Sequence, residues 1–233
     1  MIKVLATFIL TLSITIGFSQ TRTEYHVINV LGANIHSDQD FNSQIVGKYN
    51  SGKAIKYFEE ELPEKVEKKV NSILTLKGYW IKIMMEDFGW GYIFSSDLSK
   101  TPTSNLTEYE NQDGLHLFGK KLSSKKFTEP HSFESGTYYS EETEIYFENA
   151  FFTESFFDGC WTWKYELKDF TLSEAYHQVL QLTSIFRDEK IETPRIISGQ
   201  GNTWFFSDID ASQEIKLEDL GQGQYKISFS SCT

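Results

Sequence analysis

The chain has 233 residues, with 22 lysines and arginines against 33 aspartates and glutamates, and a formal net charge of −11. Such an acidic chain repels nucleic acid and anionic lipid, and no block of basic residues offsets the charge. The length allows two modest domains, each with its own core. Aromatic residues make up 15% of the chain and cluster in strand-like runs, which is typical of β-rich proteins.

The start of the chain has the pattern of a secretory signal peptide. Lys3 supplies a positive charge, and residues 4–17 form an uncharged apolar run that is too short to span a bilayer. Gly17 and Ser19 are small residues that suit a cleavage site, so we expect residues 1–19 to be removed. The mature net charge is then 21 − 33 = −12, since only Lys3 is lost. We predict an exported protein, periplasmic or secreted, without membrane insertion after cleavage; no cysteine follows the apolar run to carry a lipid anchor.

Residues 78–98 predict a β-hairpin of two aromatic-rich strands joined at Glu86–Gly89. In the first strand, Ile81, Ile83 and Met85 share one face, and Trp80 lies on the other with Lys82 and Met84. Trp80 is therefore expected outside the layer of Ile81 and Ile83.

Six short segments occur in the order that a bacterial SH3-like (SH3b) module shows. They are Ala33-Asn34-Ile35-His36-Ser37, Ile45-Val46-Gly47, Ser51-Gly52-Lys53-Ala54-Ile55, Gly78-Tyr79-Trp80-Ile81-Lys82-Ile83, Gly91-Tyr92-Ile93 and Leu98. Residues 25–98 thus resemble an SH3b module, with His36 where the family usually has arginine, and we predict an SH3b-like domain at residues 22–100. The resemblance implies a small barrel that binds a cell-wall peptide, a peptidoglycan stem or an envelope protein.

By the same resemblance, the ligand-binding residues are Trp80, Trp90, Tyr92, Phe94 and Asp97. Trp80 stands where the SH3 fold places a groove tryptophan. Phe94 and Asp97 replace the proline and tyrosine of the eukaryotic domains, which argues against polyproline recognition. The rings of Trp90 and Tyr92 suit either a groove or the cap of a small barrel's core.

The insertion at residues 59–77 fits two structures. Leu62, Val66, Val70 and Ile73 have helical spacing, with Pro63 suited to a first turn. A hairpin arm that extends the neighbouring strands also fits, and it is the interpretation we favour.

Residues 101–105 have the composition of a linker, and residues 106–233 resemble no family. Strand patterns occur at 114–119, 143–152, 160–167, 203–207, 214–218 and 224–230. The pattern Thr171–Glu174 is a capping box, and an apolar stripe predicts a helix from Leu172 to near Phe186. The predicted fold is therefore mainly β: a small SH3-like barrel followed by an α+β domain with one helix on an antiparallel sheet.

Cys160 and Cys232, the chain's two cysteines, are predicted to form a disulfide, because export makes pairing the default. Each lies opposite the apolar face of its strand, as neighbouring strand ends would allow. A cysteine nucleophile is the alternative, but the residues before Cys160 lack the papain-type pattern. His177 lies with Glu174, Gln178 and Gln181 on the polar side of the helix and is expected at the surface rather than as a general base.

No histidine or cysteine spacing suits zinc, and no nucleotide-binding motif is complete, so no metal or cofactor is predicted. The sequence predicts a non-enzymatic, exported envelope protein that uses an SH3b module to bind a peptide or peptidoglycan-type ligand. The alternatives are a cell-wall hydrolase with an unrecognised catalytic domain in residues 106–233, and an interaction scaffold for a protein partner.

Overall fold

A computed structural model describes residues 22–58, 64–85, 89–105, 115–133, 136–188, 190–207 and 214–232. The predicted signal peptide and the connection at residues 86–88 lie outside these ranges. Below, residues 22–105 are called the N-terminal unit and residues 115–232 the C-terminal unit. The predicted class is confirmed: both units consist mainly of antiparallel strands.

The N-terminal unit is built from short strands. They are β1 (Arg22–Val27), β2 (Ala33–His36), β3 (Ile45–Tyr49), β4 (Ala54–Phe58), β5 (Val66–Lys69), β6 (Thr75–Gly78), β7 (Trp80–Met84), β8 (Trp90–Phe94), β9 (Leu98–Ser99) and β10 (Ser104–Asn105). One sheet has the order β4-β1-β9 and the other β3-β2-β8-β7. A 3-10 turn at Ser95–Asp97 connects β8 to β9.

The two sheets of the N-terminal unit enclose one apolar core. Ile81, Ile83 and Ile93 are buried in it together with Tyr25 and Leu98. The alternation along β7 is as predicted, because Ile81 and Ile83 point into this core and Trp80 does not belong to it.

The described part of the insertion, from residue 64 onward, forms a hairpin, as we favoured. Strands β5 and β6 pair in antiparallel register from Val66 opposite Gly78 to Lys69 opposite Thr75. Asn71 closes the turn, because its side-chain oxygen accepts the backbone N–H groups of Ile73 and Leu74.

An eight-stranded antiparallel sheet dominates the C-terminal unit; with the strand ranges given in the next sentence, its order is β12-β13-β14-β15-β21-β20-β19-β18. The strands of this unit are β11 (Leu115–His116), β12 (Lys121–Phe133), β13 (Gly136–Phe147), β14 (Ala150–Phe157), β15 (Cys160–Leu167), β16 (Ile185–Arg187), β17 (Lys190–Glu192), β18 (Arg195–Gln200), β19 (Thr203–Ser207), β20 (Glu214–Gly221) and β21 (Gln224–Cys232). The strand predicted at 143–152 is in fact the end of β13 and the start of β14, separated by a turn at Glu148 and Asn149.

One helix, α1 (Leu172–Thr183), packs on this sheet. The predicted capping box is present: Thr171 Oγ1 accepts the N–H of Glu174, and the Glu174 carboxylate accepts the N–H of Thr171. Ala175 and Val179 are fully buried against the sheet. The helix ends before Phe186, because Ser184 adopts extended backbone angles; Phe186 lies in β16 and is exposed.

Candidate functional site

The four predicted aromatic ligands lie on one face of the sheet β3-β2-β8-β7. Trp80 of β7 is opposite Phe94 of β8. Tyr92 and Trp90 lie on the same side of β8 as Phe94, because side chains alternate along a strand. Their exposure differs sharply, however, from 4% at Trp80 and 2% at Phe94 to 58% at Trp90.

Phe41 seals the buried end of this face. Its ring lies 4.7 Å from the ring of Trp80 and 5.0 Å from that of Phe94, and His36 packs against the other edge of Trp80 at 5.2 Å. Trp80 and Phe94 therefore offer no surface to a ligand. Sequence reasoning missed Phe41 because it is a single apolar residue in an otherwise polar loop, which gives no periodic signal.

The open end of the face carries Trp90 and Tyr92. The Lys82 ammonium lies 4.7 Å from the Trp90 ring centroid, and Met84, opposite Trp90 in the neighbouring strand, is also exposed. This combination of an exposed indole, a thioether and a lysine is an apolar patch with a cationic margin.

Asp97 is buried between the two units. Its carboxylate accepts a hydrogen bond from Asn29 Nδ2 at 3.0 Å, and it lies 3.3 Å from His177 Nε2 and 3.8 Å from Lys68 Nζ. Burial alone would raise the pKa of Asp97, but the contacts with His177, Lys68 and Asn29 outweigh burial and hold the pKa below its ordinary value. Asp97 therefore joins the units as a carboxylate rather than facing a ligand.

The polar side of α1 is an internal surface, which corrects the expectation for His177. His177 is 2% exposed, and Gln178 and Gln181 are buried beside it. Gln181 Nε2 donates to the Ile28 carbonyl and to Ser51 Oγ of the N-terminal unit, both at 2.9 Å. One signal was available in the sequence: this helix side is polar but mostly uncharged, as suits hydrogen bonding to a protein surface.

A cleft opens beside this junction, where the N-terminal unit meets the start of α1. It has a volume of about 570 Å³ and is lined by both units. Tyr25 and Tyr79 contribute aromatic rings, Lys65, Lys77 and Lys100 contribute ammonium groups, and several serines and threonines contribute hydroxyls. None of these residues was among the predicted ligands, because the cleft requires segments about 100 residues apart in sequence.

Glu174 fixes the wall of the cleft that α1 provides. One carboxylate oxygen accepts the Thr171 N–H and hydroxyl, both at 2.8 Å, and the other accepts the hydroxyl of Ser99 in β9. The capping residue of the helix is thus also a link to the N-terminal unit, so the two walls of the cleft are held in a defined arrangement.

The predicted disulfide is confirmed. Cys160 and Cys232 are directly opposite each other in the β15–β21 ladder and are bonded. Cys160 therefore has no free thiol, and a cysteine nucleophile is excluded in the oxidised protein. His177 and Asp97 have the residue types of an acid–base pair, but both are sealed between the two units.

Within the described ranges, no group of three or more histidine, cysteine, aspartate or glutamate side chains is arranged to hold a metal ion. The helix that the structure describes is too short and too polar to cross a membrane. No protein-family model matches the chain, and no curated protein or solved structure matches it significantly.

Proposed function

We propose that this chain is an exported, non-enzymatic binding protein that holds a cell-wall peptide in the cleft between its two units. The cleft is the observation that carries the proposal: it is a concave surface to which both units contribute side chains. Its volume of about 570 Å³ falls within the usual range for ligand sites.

The lining suits a peptide. The rings of Tyr25 and Tyr79 offer flat apolar surface, and hydroxyls from Ser95, Thr75 and Thr101 offer hydrogen bonds to peptide groups. The floor is tight at Gly78, where an added Cβ would lie 2.7 Å from Ser95 Oγ. Glycine therefore lets the Ser95 and Phe94 side chains pack directly on the backbone at this point.

The N-terminal unit supports the SH3b part of the proposal through its architecture. Two small antiparallel sheets pack around one core, and a 3-10 turn precedes the last strand of the first sheet. The proposed site differs from the one first predicted, because it uses Tyr79 rather than its neighbour Trp80.

The disulfide supports export. A bond between Cys160 and Cys232 persists in an oxidising compartment such as the periplasm or the extracellular space, and residues 1–19 have the pattern of the signal that would direct the chain there.

Retention on purified peptidoglycan sacculi tests the proposal. Wild type should be retained, and Tyr79→Ala should be retained much less because the half-buried ring lines the cleft. Tyr139→Ala is the matched control, since Tyr139 is an exposed tyrosine on β13 away from the cleft. Equal retention of wild type and Tyr79→Ala, or no retention of wild type, would contradict the proposal.

A second candidate function is attachment to an envelope protein through the patch of Trp90, Met84 and Lys82. The 58% exposure of Trp90, with Met84 equally exposed opposite it, favours this function, because adjoining exposed apolar side chains mark interaction surfaces. Cross-linking in cell envelopes would detect such a partner, and Trp90→Ala should abolish the cross-link while leaving retention on sacculi unchanged.

A further inference from the structure

The cleft carries positive charge on a molecule that is otherwise acidic. Lys65, Lys77 and Lys100 line it together with Asp169 and Glu174, a formal charge of 3 − 2 = +1, whereas the whole chain has a net charge of −11. Glu174 keeps its negative charge, but both of its carboxylate oxygens are already hydrogen-bonded to hydroxyl and amide groups of the protein. Lys77 pairs with Glu67 at 3.1 Å, but both side chains are well exposed, and a surface pair of this kind is easily exchanged for a ligand.

Two of these lysines lie beside the aromatic walls. Lys65 Nζ is 5.8 Å from the Tyr79 ring centroid, and Lys100 Nζ is 5.6 Å from that of Tyr25. Each pair places a cation at the edge of an apolar surface. This arrangement suits a peptide residue whose aliphatic stem ends in a carboxylate.

Two further features of the walls favour an anionic, hydrogen-bonding ligand. Ser96 is 3% exposed and lines the cleft, yet its Oγ has no hydrogen-bond partner in the part of the chain that the structure describes. A buried hydroxyl of this kind calls for a partner. In addition, the twelve-residue helix α1 begins at the cleft, and its N-terminus favours negative charge there, part of which the capping Glu174 carboxylate already supplies.

We propose that the cleft selects peptides by their free carboxylates, with the Lys65, Lys77 and Lys100 ammonium groups as the recognition elements. This inference rests on the proposed function and names the ligand class of the same site. The ligand is an acidic stem peptide of the cell wall: its carboxylates meet the lysines, and its aliphatic parts lie against Tyr25 and Tyr79.

Calorimetric titration of the full mature chain with a matched set of peptides tests the inference. The probes are the stem-type tripeptide L-Ala-γ-D-Glu-meso-diaminopimelate, the same tripeptide with its carboxyl groups amidated, and the α-linked peptide L-Ala-L-Glu-meso-diaminopimelate, which has the same number of carboxylates as the first. The proteins are wild type, Lys65→Gln/Lys77→Gln, and the control Lys120→Gln/Lys190→Gln. The control makes the same change in net charge at exposed positions of the C-terminal unit that do not line the cleft.

We expect the amidated stem peptide to bind at least about tenfold more weakly than the acid, since charge-assisted hydrogen bonds are lost. The double variant in the cleft should weaken binding of the acid by a similar factor and leave binding of the amide unchanged, while the control binds as wild type. Binding of the acid should also weaken as sodium chloride is raised from about 0.05 to 0.5 M.

The outcomes separate this inference from the proposed function. Equal affinity for acid and amide, with Tyr79→Ala still impaired, would overturn carboxylate recognition and keep the cleft as a binding site. Equal binding of the α-linked peptide would support the carboxylate site and overturn the cell wall as its source. If neither stem peptide nor sacculi bind to wild type, both proposals fail together.

Discussion

The disulfide allows a quantitative prediction of stability. Cys160 and Cys232 are 72 positions apart in the sequence. The segment that they close contains β15, α1 and strands β16 to β21. In the chain-entropy model, closing a loop of this length lowers the entropy of the unfolded chain by about 15 cal/mol/K, which is about 4 kcal/mol at 25 °C. The folded ladder itself pairs eight residues of β15 with β21, so it does not need the bond for its register.

Cys160→Ser/Cys232→Ser tests this value cleanly. Cys232 is exposed and Cys160 is only half-buried, so the serine hydroxyls are not forced into an apolar core. Urea unfolding followed by tryptophan fluorescence should give a free energy of unfolding about 4 kcal/mol below that of the oxidised wild type. The m value should rise, because the unfolded chain without the cross-link is more expanded.

Reduced wild type provides the control, since it should unfold as the double variant does. A loss below about 1 kcal/mol with an unchanged m value would refute the reasoning and show that the bond does not constrain the unfolded chain.

Three further predictions concern buried positions. Trp80→Ala should lower the free energy of unfolding by about 3–5 kcal/mol, because it removes the ring between Phe41 and Phe94, and a loss below 1 kcal/mol in urea unfolding would contradict that packing. Gly91→Ala should cost about 1–3 kcal/mol by the same assay, since its Cβ would overlap Ile35 Cγ2; an unchanged midpoint would contradict the close approach. Burial lowers the pKa of His116 to about 4, whereas in the unfolded chain it is about 6.5. As the pH drops from about 6.5 towards 4, the unfolded chain binds a proton that the folded chain does not, so the free energy of unfolding falls. An NMR titration of the His116 ring should give that midpoint, and a value near 6.5 would contradict it.

Trp80 shows how far the SH3b resemblance predicts the binding surface. The period-2 pattern correctly separated Trp80 from the layer of Ile81 and Ile83. The pattern does not state whether the second face is open. Phe41 covers that face, and it comes from a loop that pairs with neither β7 nor β8. A ligand-binding test on Trp80→Ala would therefore measure unfolding as much as recognition.

The sequence alone determined the features that depend on neighbours along the chain. Strand β15 has the predicted bounds, the capping box of Thr171 and Glu174 is present, and the parity of Cys160 and Cys232 is that of a cross-strand pair. These features follow from side-chain alternation and from hydrogen bonds that span three or four residues, and both can be read without knowledge of the fold.

Only the tertiary structure decided what covers each surface. Gln181 of α1 bonds to Ile28, 153 residues away, and this contact belongs to a polar helix side that is internal. The first turn of the same helix lines the cleft. A polar side chain satisfies its hydrogen bonds equally well with water or with another part of the chain, so its chemistry does not specify the partner. Lys65, Lys77 and Lys100 are likewise brought together by the fold of the N-terminal unit, and the start of α1 completes the cleft around them.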